Sequence, residues 1–234
     1  MQWTNNEPDA GAIRSLGRGE MLFTTGASTG VWRILSGAVR LDHVDGNGSR
    51  FVRLAAAGDC VGEETLAGVG HVSSARAVVR CLAQQVGPGS GGDGSVLAAG
   101  ILRRHHERFL DLVRLRTGTT PDRLRCLFAM LAGAAARAAG TFACPMPTLA
   151  DLAAIVDAAP ETVSRALGDL RRGGVLLDRN RSGVIVDGRR LHGFPGQVCV
   201  RDAARQDRPA SGARRRGRRP DPAAIVDLAT AGAS

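Results

Sequence analysis

The period of the apolar pattern changes once along this chain of 234 residues, and that change limits the fold more than any other feature. Up to residue 86, short apolar runs with partial two-residue alternation recur between glycine-containing turns. They are Met21–Thr24, Val31–Leu35, Ala38–Val44, Arg50–Ala55, Ala75–Val79 and Cys81–Val86. Alternation of this period places successive side chains on opposite faces of a strand. Asp45-Gly46-Asn47-Gly48 between two of the runs predicts a hairpin, because Gly and Asn tolerate positive φ. Several short strands at this spacing predict a sandwich, roll or jelly-roll barrel. Gly87–Gly94 (GPGSGGDG) offers nothing to pack and marks a break.

Beyond the break the period is helical. Val96–Arg116 carries Leu102, Phe109, Leu112 and Leu115 as an apolar stripe, with Arg103, Arg104, Glu107, Asp111 and Arg114 elsewhere on its surface. Such a stripe either packs on the chain's own β domain or pairs with a second subunit as a short coiled coil. Pro121 starts another helix, through Leu124, Leu127, Phe128 and Leu131, that ends at Gly133 or in the Ala-rich stretch after it.

Pro145–Asp187 is the most informative segment. Thr148 caps a helix and Asp151 sits three residues on, a start like a capping box. Leu149, Leu152, Ala153 and Val156 form its buried side. Asp157-Ala158-Ala159 is a short turn, Pro160–Arg172 a second helix, and Gly173-Gly174 its end. Val175–Asp178 and Val184–Asp187 read as a small hairpin around Arg179–Gly183.

At about 100° per residue, Val163, Ala166, Leu167 and Leu170 share one side of the second helix. Glu161, Thr162, Ser164, Arg165, Gly168, Asp169 and Arg172 share the other. Two helices joined by a three-residue turn, with a polar outer face on the second, make a helix-turn-helix. Its second helix lies in the DNA major groove, where Glu161 accepts from a cytosine amino group and Arg165 binds guanine O6 and N7. The hairpin is a wing on the backbone, with Arg179 and Arg181 near its tip, and Thr148 joins the candidate DNA contacts. The same local pattern also fits any exposed helical hairpin with a charged face.

Several classes are excluded. An apolar fraction of 44% is too high for wholesale disorder. No stretch approaches about 18 uncharged apolar residues, so no membrane partner is expected. The first residues lack the layout of a signal peptide. Cys60, Cys81, Cys126, Cys144 and Cys199 form no CxxC pair and fit a reducing cytoplasm. No Walker A loop, HExxH or GxSxG is present, and no His/carboxylate set converges, so no catalytic residue and no enzyme is expected.

The run Pro160-Glu161-Thr162-Val163-Ser164-Arg165-Ala166-Leu167, with Leu170 and Gly173/Gly174, resembles the recognition helix of the Crp/Fnr family of bacterial transcription regulators. Leu149-Ala150-Asp151-Leu152-Ala153 resembles that family's preceding helix. Gly19-Glu20, Leu35–Leu41 and Gly58-Asp59-Cys60-Val61-Gly62-Glu63 resemble its cyclic-nucleotide-binding β-roll. Thr120-Pro121-Asp122-Arg123-Leu124 resembles the start of the helix after its dimerisation helix. The likeness runs in family order from about residue 16 to 187.

It implies an α+β fold: a jelly-roll-like sensor β-roll over 1–94, a dimerisation helix over 95–118, and a winged helix-turn-helix over 119–188. A basic tail read as disordered would occupy 189–234. It also implies a homodimer on an inverted repeat of double-stranded DNA, joined through Leu102, Phe109 and Leu112. Its half-sites lie about one helical turn apart. Glu161, Ser164 and Arg165 match the Glu-x-x-Ser-Arg pattern of Fnr-like members, which implies TTGA-type rather than TGTGA half-sites. The alternative is a cAMP- or other ligand-responsive module of the same fold with altered or lost DNA readout. RNA polymerase as a partner would require an activating surface, and nothing in the sequence marks one.

The effector is not identified by the sequence. Gly62, Glu63, Ser73 and Ser74 align with the family's nucleotide-phosphate pocket. Its arginine position holds Ser73, and Arg76 points to the opposite strand face. Ile101–Arg116 also lacks the Ser or Thr that cAMP binders present there, so cAMP is not expected. No Cys precedes Cys60, against an iron–sulfur cluster. His43, His71, His105, His106 and His192 are haem-ligand candidates by residue type only, and His105 and His106 read as solvated. Cys144 reports oxidation if exposed and is inert if buried. No metal site is indicated.

The formal charge is +9. Pro145–Gly188 holds five arginines against six acids, whereas Arg189–Pro220 holds ten arginines against two. The excess therefore lies in the tail, which is either compositional or a non-specific phosphate grip.

Overall fold

In the computed structural model, residues 11–46, 48–86, 94–133, 136, 140–179 and 183–191 are described. They belong to one compact unit. The strand pattern produces eight strands: β1 (Ile13–Leu16), β2 (Met21–Phe23), β3 (Val31–Ser36), β4 (Ala38–Asp45), β5 (Gly48–Ala56), β6 (Cys60–Val61), β7 (Ser74–Ala77) and β8 (Cys81–Val86). They form two antiparallel four-stranded sheets, ordered β1-β8-β3-β6 and β2-β7-β4-β5. The β4–β5 hairpin closes at Asp45–Gly48, where the glycines and asparagine predict it. Leu16, Trp32, Ile34, Val61 and Cys81 from one sheet meet Leu22, Phe23, Val39, Leu41, Ala75 and Ala77 from the other. Ala55, Ala75, Ala77 and Ala83 lie in the same core, and side chains this short let the sheets pack closely. Gly37 serves the same closeness: its φ is 78°, and a Cβ there would lie 2.0 Å from the Arg80 carbonyl.

Three pieces of the roll were not foreseen. β1 and β6 have too few apolar residues to show alternation, and Glu63–Ala67 forms a short 3-10 helix.

Helix α1 (Gly94–Arg116) starts two residues before the expected Val96. The rest of the Gly-rich break lies outside the described residues. Helix α2 (Thr120–Ala132) starts with a capping box between Thr119 and Asp122, carries Pro121 in its first turn, and ends at Gly133.

The C-terminal module comprises β9 (Thr141–Pro145), α3 (Leu149–Val156), α4 (Pro160–Arg172), β10 (Leu176–Arg179), β11 (Gly183–Asp187) and α5 (Gly188–Leu191). The expected wing hairpin is β10–β11, and β9 adds a third strand beside β11. The expectation that structure ends at Gly188 is corrected by α5, whose Leu191 is buried in the module. One apolar residue after two arginines carries no periodic signal. The rest of the expected tail lies outside the described residues.

The module's core is Leu124, Leu127, Phe128, Leu152, Ile155, Val163, Leu170, Val184 and Val186. It continues onto Leu54, Val78 and Val79 of the roll. Among the described residues, no helix is long and apolar enough to cross a membrane.

Candidate nucleic-acid interface

The face of α4 follows from its sequence. Val163, Ala166 and Leu170 are buried and Leu167 is half-buried, while Glu161, Thr162, Ser164, Arg165, Asp169 and Arg172 are exposed. The buried side packs on α2 and α3. Among the described residues, no hydrogen bond or ion pair ties down the side chains of Glu161, Ser164 or Arg165. Donors and acceptors on this face are therefore available to base edges.

The turn ahead of α4 is held from two directions. Asp157 adopts a left-handed conformation (φ 52°) as the C-cap of α3, and its amide donates to the Ala153 carbonyl. Arg123 of α2 donates from Nη1 to the Val156 and Asp157 carbonyls at 2.9 and 3.2 Å, and from Nε to the Gly118 carbonyl. One guanidinium thus joins the α1–α2 junction to the helix-turn-helix turn. At the other end, Arg190 of α5 donates to the Gly173 carbonyl at 2.9 Å, satisfying the last turn of α4. Neither arginine was singled out from sequence, because their partners are backbone atoms distant along the chain.

Thr148 accepts from the Asp151 amide at 3.1 Å, so it caps α3 as expected. Its hydroxyl donates to the Asp151 carboxylate at 2.8 Å. Asp151 does not complete a capping box; its carboxylate turns to Arg76 and Arg40 of the roll. Arg179 ends β10, and Arg181 lies outside the described residues.

Along α1, Leu102 is 72% exposed and Phe109 62%, and Val113 is also exposed; Leu112 is half-buried. Leu115 corrects the expected stripe, for it is buried among Leu124, Leu127 and Leu54. Thirteen residues at 100° place it about 140° from Leu102 around the helix. One face of this helix packs on its own chain, the first of the two alternatives, and another stays open.

The candidate effector residues are spread out. Gly62 has φ 81°, and a Cβ there would lie 2.7 Å from the Gly30 carbonyl and from the His71 ring. Glu63 accepts from Arg53 Nη2 at 2.6 Å and pairs with His105 of α1. Ser73 is buried, and Ser74 bonds the Thr25 amide and hydroxyl. Arg76 does leave the Ser73 face, as strand alternation requires. Where α1 crosses the roll, Arg53, Asp59 and Cys60 face Arg104, His105 and Arg108 across a recess. Its arginines are already paired: Arg53 with Glu63, Arg104 with Glu107, and Arg108 with Asp59 and Asp111.

Of the histidines, His71 is buried, stacked on Phe23 and bonded to Thr29 and Glu64. His105 pairs with Glu63 rather than standing in solvent alone. His192 lies outside the described residues, among which no cluster of three metal-ligating side chains occurs.

Cys144 is buried, and burial pushes its thiol up to about 12; Cys81 is pushed up to about 11. Only the thiolate reacts readily. Iodoacetamide at pH 8 is therefore expected to leave Cys144 unmodified in the folded protein and to label it in urea, as read by peptide mass spectrometry. Labelling of the folded protein at the exposed-thiol rate would contradict this. In the unfolded chain these thiols ionise near 9.0, while Cys144 in the fold keeps its proton to about 12. The unfolded state thus binds fewer protons in that window, and stability falls as pH rises through it.

A family model for a cyclic nucleotide-binding domain matches residues 13–88, and one for a Crp-like helix-turn-helix domain matches residues 123–194. Among solved structures, a CRP-family transcriptional regulator of Thermus thermophilus is 22% identical, with TM-score 0.59, covering 77% of this chain and 97% of its own. A CRP/FNR-family regulator from the same organism is 26% identical, with TM-score 0.55 and coverages of 75% and 92%. FixK2 of Bradyrhizobium japonicum is 25% identical, with TM-score 0.58 and coverages of 78% and 96%. Among curated proteins no match was found.

Proposed function

This chain belongs to the Crp/Fnr family of transcription regulators, and we propose that it works as a homodimer reading an inverted repeat with TTGA-type half-sites. It is a DNA-binding regulator and not an enzyme. The observation that carries the finer reading is the α4 face, on which Glu161, Ser164 and Arg165 are exposed together and, among the described residues, make no hydrogen bond or ion pair. Arg165 is assigned to guanine and Glu161 to a cytosine amino group. Thr162, Thr148, Arg179 and Arg181 are assigned to further contacts with the duplex.

Dimerisation through α1 is supported by Leu102, Phe109 and Val113, spaced at i, i+7 and i+11 and left open on one side. Phe109→Asp places a charge in that seam and is expected to shift the protein from dimer to monomer in sedimentation at micromolar concentration. A dimer of unchanged affinity would move the interface elsewhere.

The effector is read as something other than cAMP. An added phosphate at the roll–α1 recess would have to displace Glu63 or Asp59 from arginines they already neutralise.

The deciding experiment is a gel shift of purified protein with a TTGA palindrome and a scrambled duplex at one salt concentration. Preference for the palindrome is expected. Equal binding to both would favour a signalling module that has lost DNA readout.

A further inference from the structure

The roll presents two arginines side by side. Arg40 of β4 and Arg76 of β7 are directly opposite in the antiparallel register, so their side chains leave the same sheet face. Like charges in that arrangement repel. Two carboxylates relieve it. Asp42, two residues along the same strand and on the same face, accepts from Arg40 Nε at 2.6 Å. Asp151, from α3, accepts from Arg76 Nη2 at 2.6 Å and lies 3.5 Å from Arg40 Nη1. The Asp151 side chain is only 5% exposed and that of Arg76 29%.

Asp151 therefore joins two parts of the protein. One oxygen engages the roll; the other takes the Thr148 hydroxyl at the start of α3. Helix α3 packs directly against α4. A shift of α3 along the roll would carry the reading helix with it and would part a buried carboxylate from Arg76, leaving only Arg40 with a carboxylate, Asp42, a costly state.

We infer that Asp151, Arg76 and Arg40 form an electrostatic interlock that fixes where the recognition helix sits relative to the roll, and through it the spacing of the two reading heads in a dimer. These are positioning residues. They leave the exposed face of α4 untouched, so the chemistry of base reading does not depend on them. What depends on them is the fit to two half-sites at one fixed separation, because two rigid heads match one spacing and two loose heads match several. The inference rests on the homodimeric operator reading above.

The test uses the full chain and the variants Asp151→Asn, Arg76→Gln and the double variant. Each is titrated against the palindrome, the palindrome with its spacer changed by one base pair, and a single half-site. Arg76→Gln alters the more exposed partner and keeps a hydrogen-bond donor beside Asp151, and circular dichroism establishes that each variant is folded before it is titrated. Wild type is expected to prefer the correct spacer. Each single variant is expected to lose about tenfold on the palindrome and to lose spacer discrimination, with half-site affinity unchanged. The double variant is expected to be no worse than either single one, since all three break one link.

Three results would overturn the interlock: retained spacer discrimination, an equal loss on the half-site, or tighter operator binding by the variants. Amide hydrogen exchange without DNA separates this failure from failure of the operator reading. In Arg76→Gln, α3 is expected to exchange faster while the β3–β8 pair does not change. Unchanged α3 exchange rejects the interlock even if wild type proves to have no operator preference.

Discussion

Arg165→Ala is expected to cost about 1–3 kcal/mol of binding at each half-site, and twice that across a dimer's operator. The expectation follows from where the side chain is. Arg165 is exposed on the second turn of α4, and Val163, Ala166 and Leu170 on the opposite side carry the packing. Truncating it removes a guanidinium without opening a cavity, so thermal stability should stay within about 0.5 kcal/mol of wild type. A bidentate contact to guanine is also discriminating. The loss should therefore fall on the TTGA-type palindrome and be small on scrambled DNA, with fluorescence anisotropy at fixed salt as the measurement. An equal loss on both duplexes would make Arg165 a phosphate contact and return base reading to its neighbours.

How much of this was legible in the sequence depends on the range of the interaction that decides each feature. The strands β3, β4, β5 and β8 show partial alternation, and α4 shows a complete amphipathic wheel, so local periodicity locates them. Strand β9 escapes because Thr141–Pro145 buries only Cys144 fully, contains a proline, and pairs with β11 some forty residues later. Asp151 shows the same limit at the site. Three residues after Thr148 it has the spacing of a local cap, and Thr148 does bond its amide. Its carboxylate instead meets arginines 75 and 111 residues away, a choice that only the packed roll creates. Leu115 shares its apolar character with Leu102 and Phe109, but its angle on the helix sets it on another side, where only the packed partners show that it is buried. The residues of α4 could be named from sequence because an exposed face needs no distant partner to define it. Arg123, Arg190 and the Arg40–Arg76 pair act through backbone or charge partners that the chain brings near only on folding.

Arg108→Met is expected to be among the most damaging single changes to stability. Asp59 is almost fully buried at the turn leading into β6, and its Oδ2 accepts from Arg108 Nε at 2.6 Å and from the Ala56 amide at 2.8 Å. Arg108 also donates to Asp111 at 2.7 Å. Burial penalises the guanidinium charge, but Asp59 and Asp111 outweigh that penalty and raise its pKa above the ordinary value. The pair ties α1 to the roll. Among the described residues, the buried Asp59 Oδ1 has no hydrogen-bond partner, so the carboxylate has no spare solvation there to fall back on. Methionine keeps most of the side-chain volume and leaves that carboxylate uncompensated, at a cost of about 3–5 kcal/mol. The double variant Arg108→Met/Asp59→Asn removes the stranded charge and should recover a large part of the loss. Urea unfolding of the two single variants and the double variant measures the coupling between them. Additive losses, or a loss under about 1 kcal/mol in Arg108→Met, would mean that water reaches Asp59 and that other contacts hold α1 on the roll.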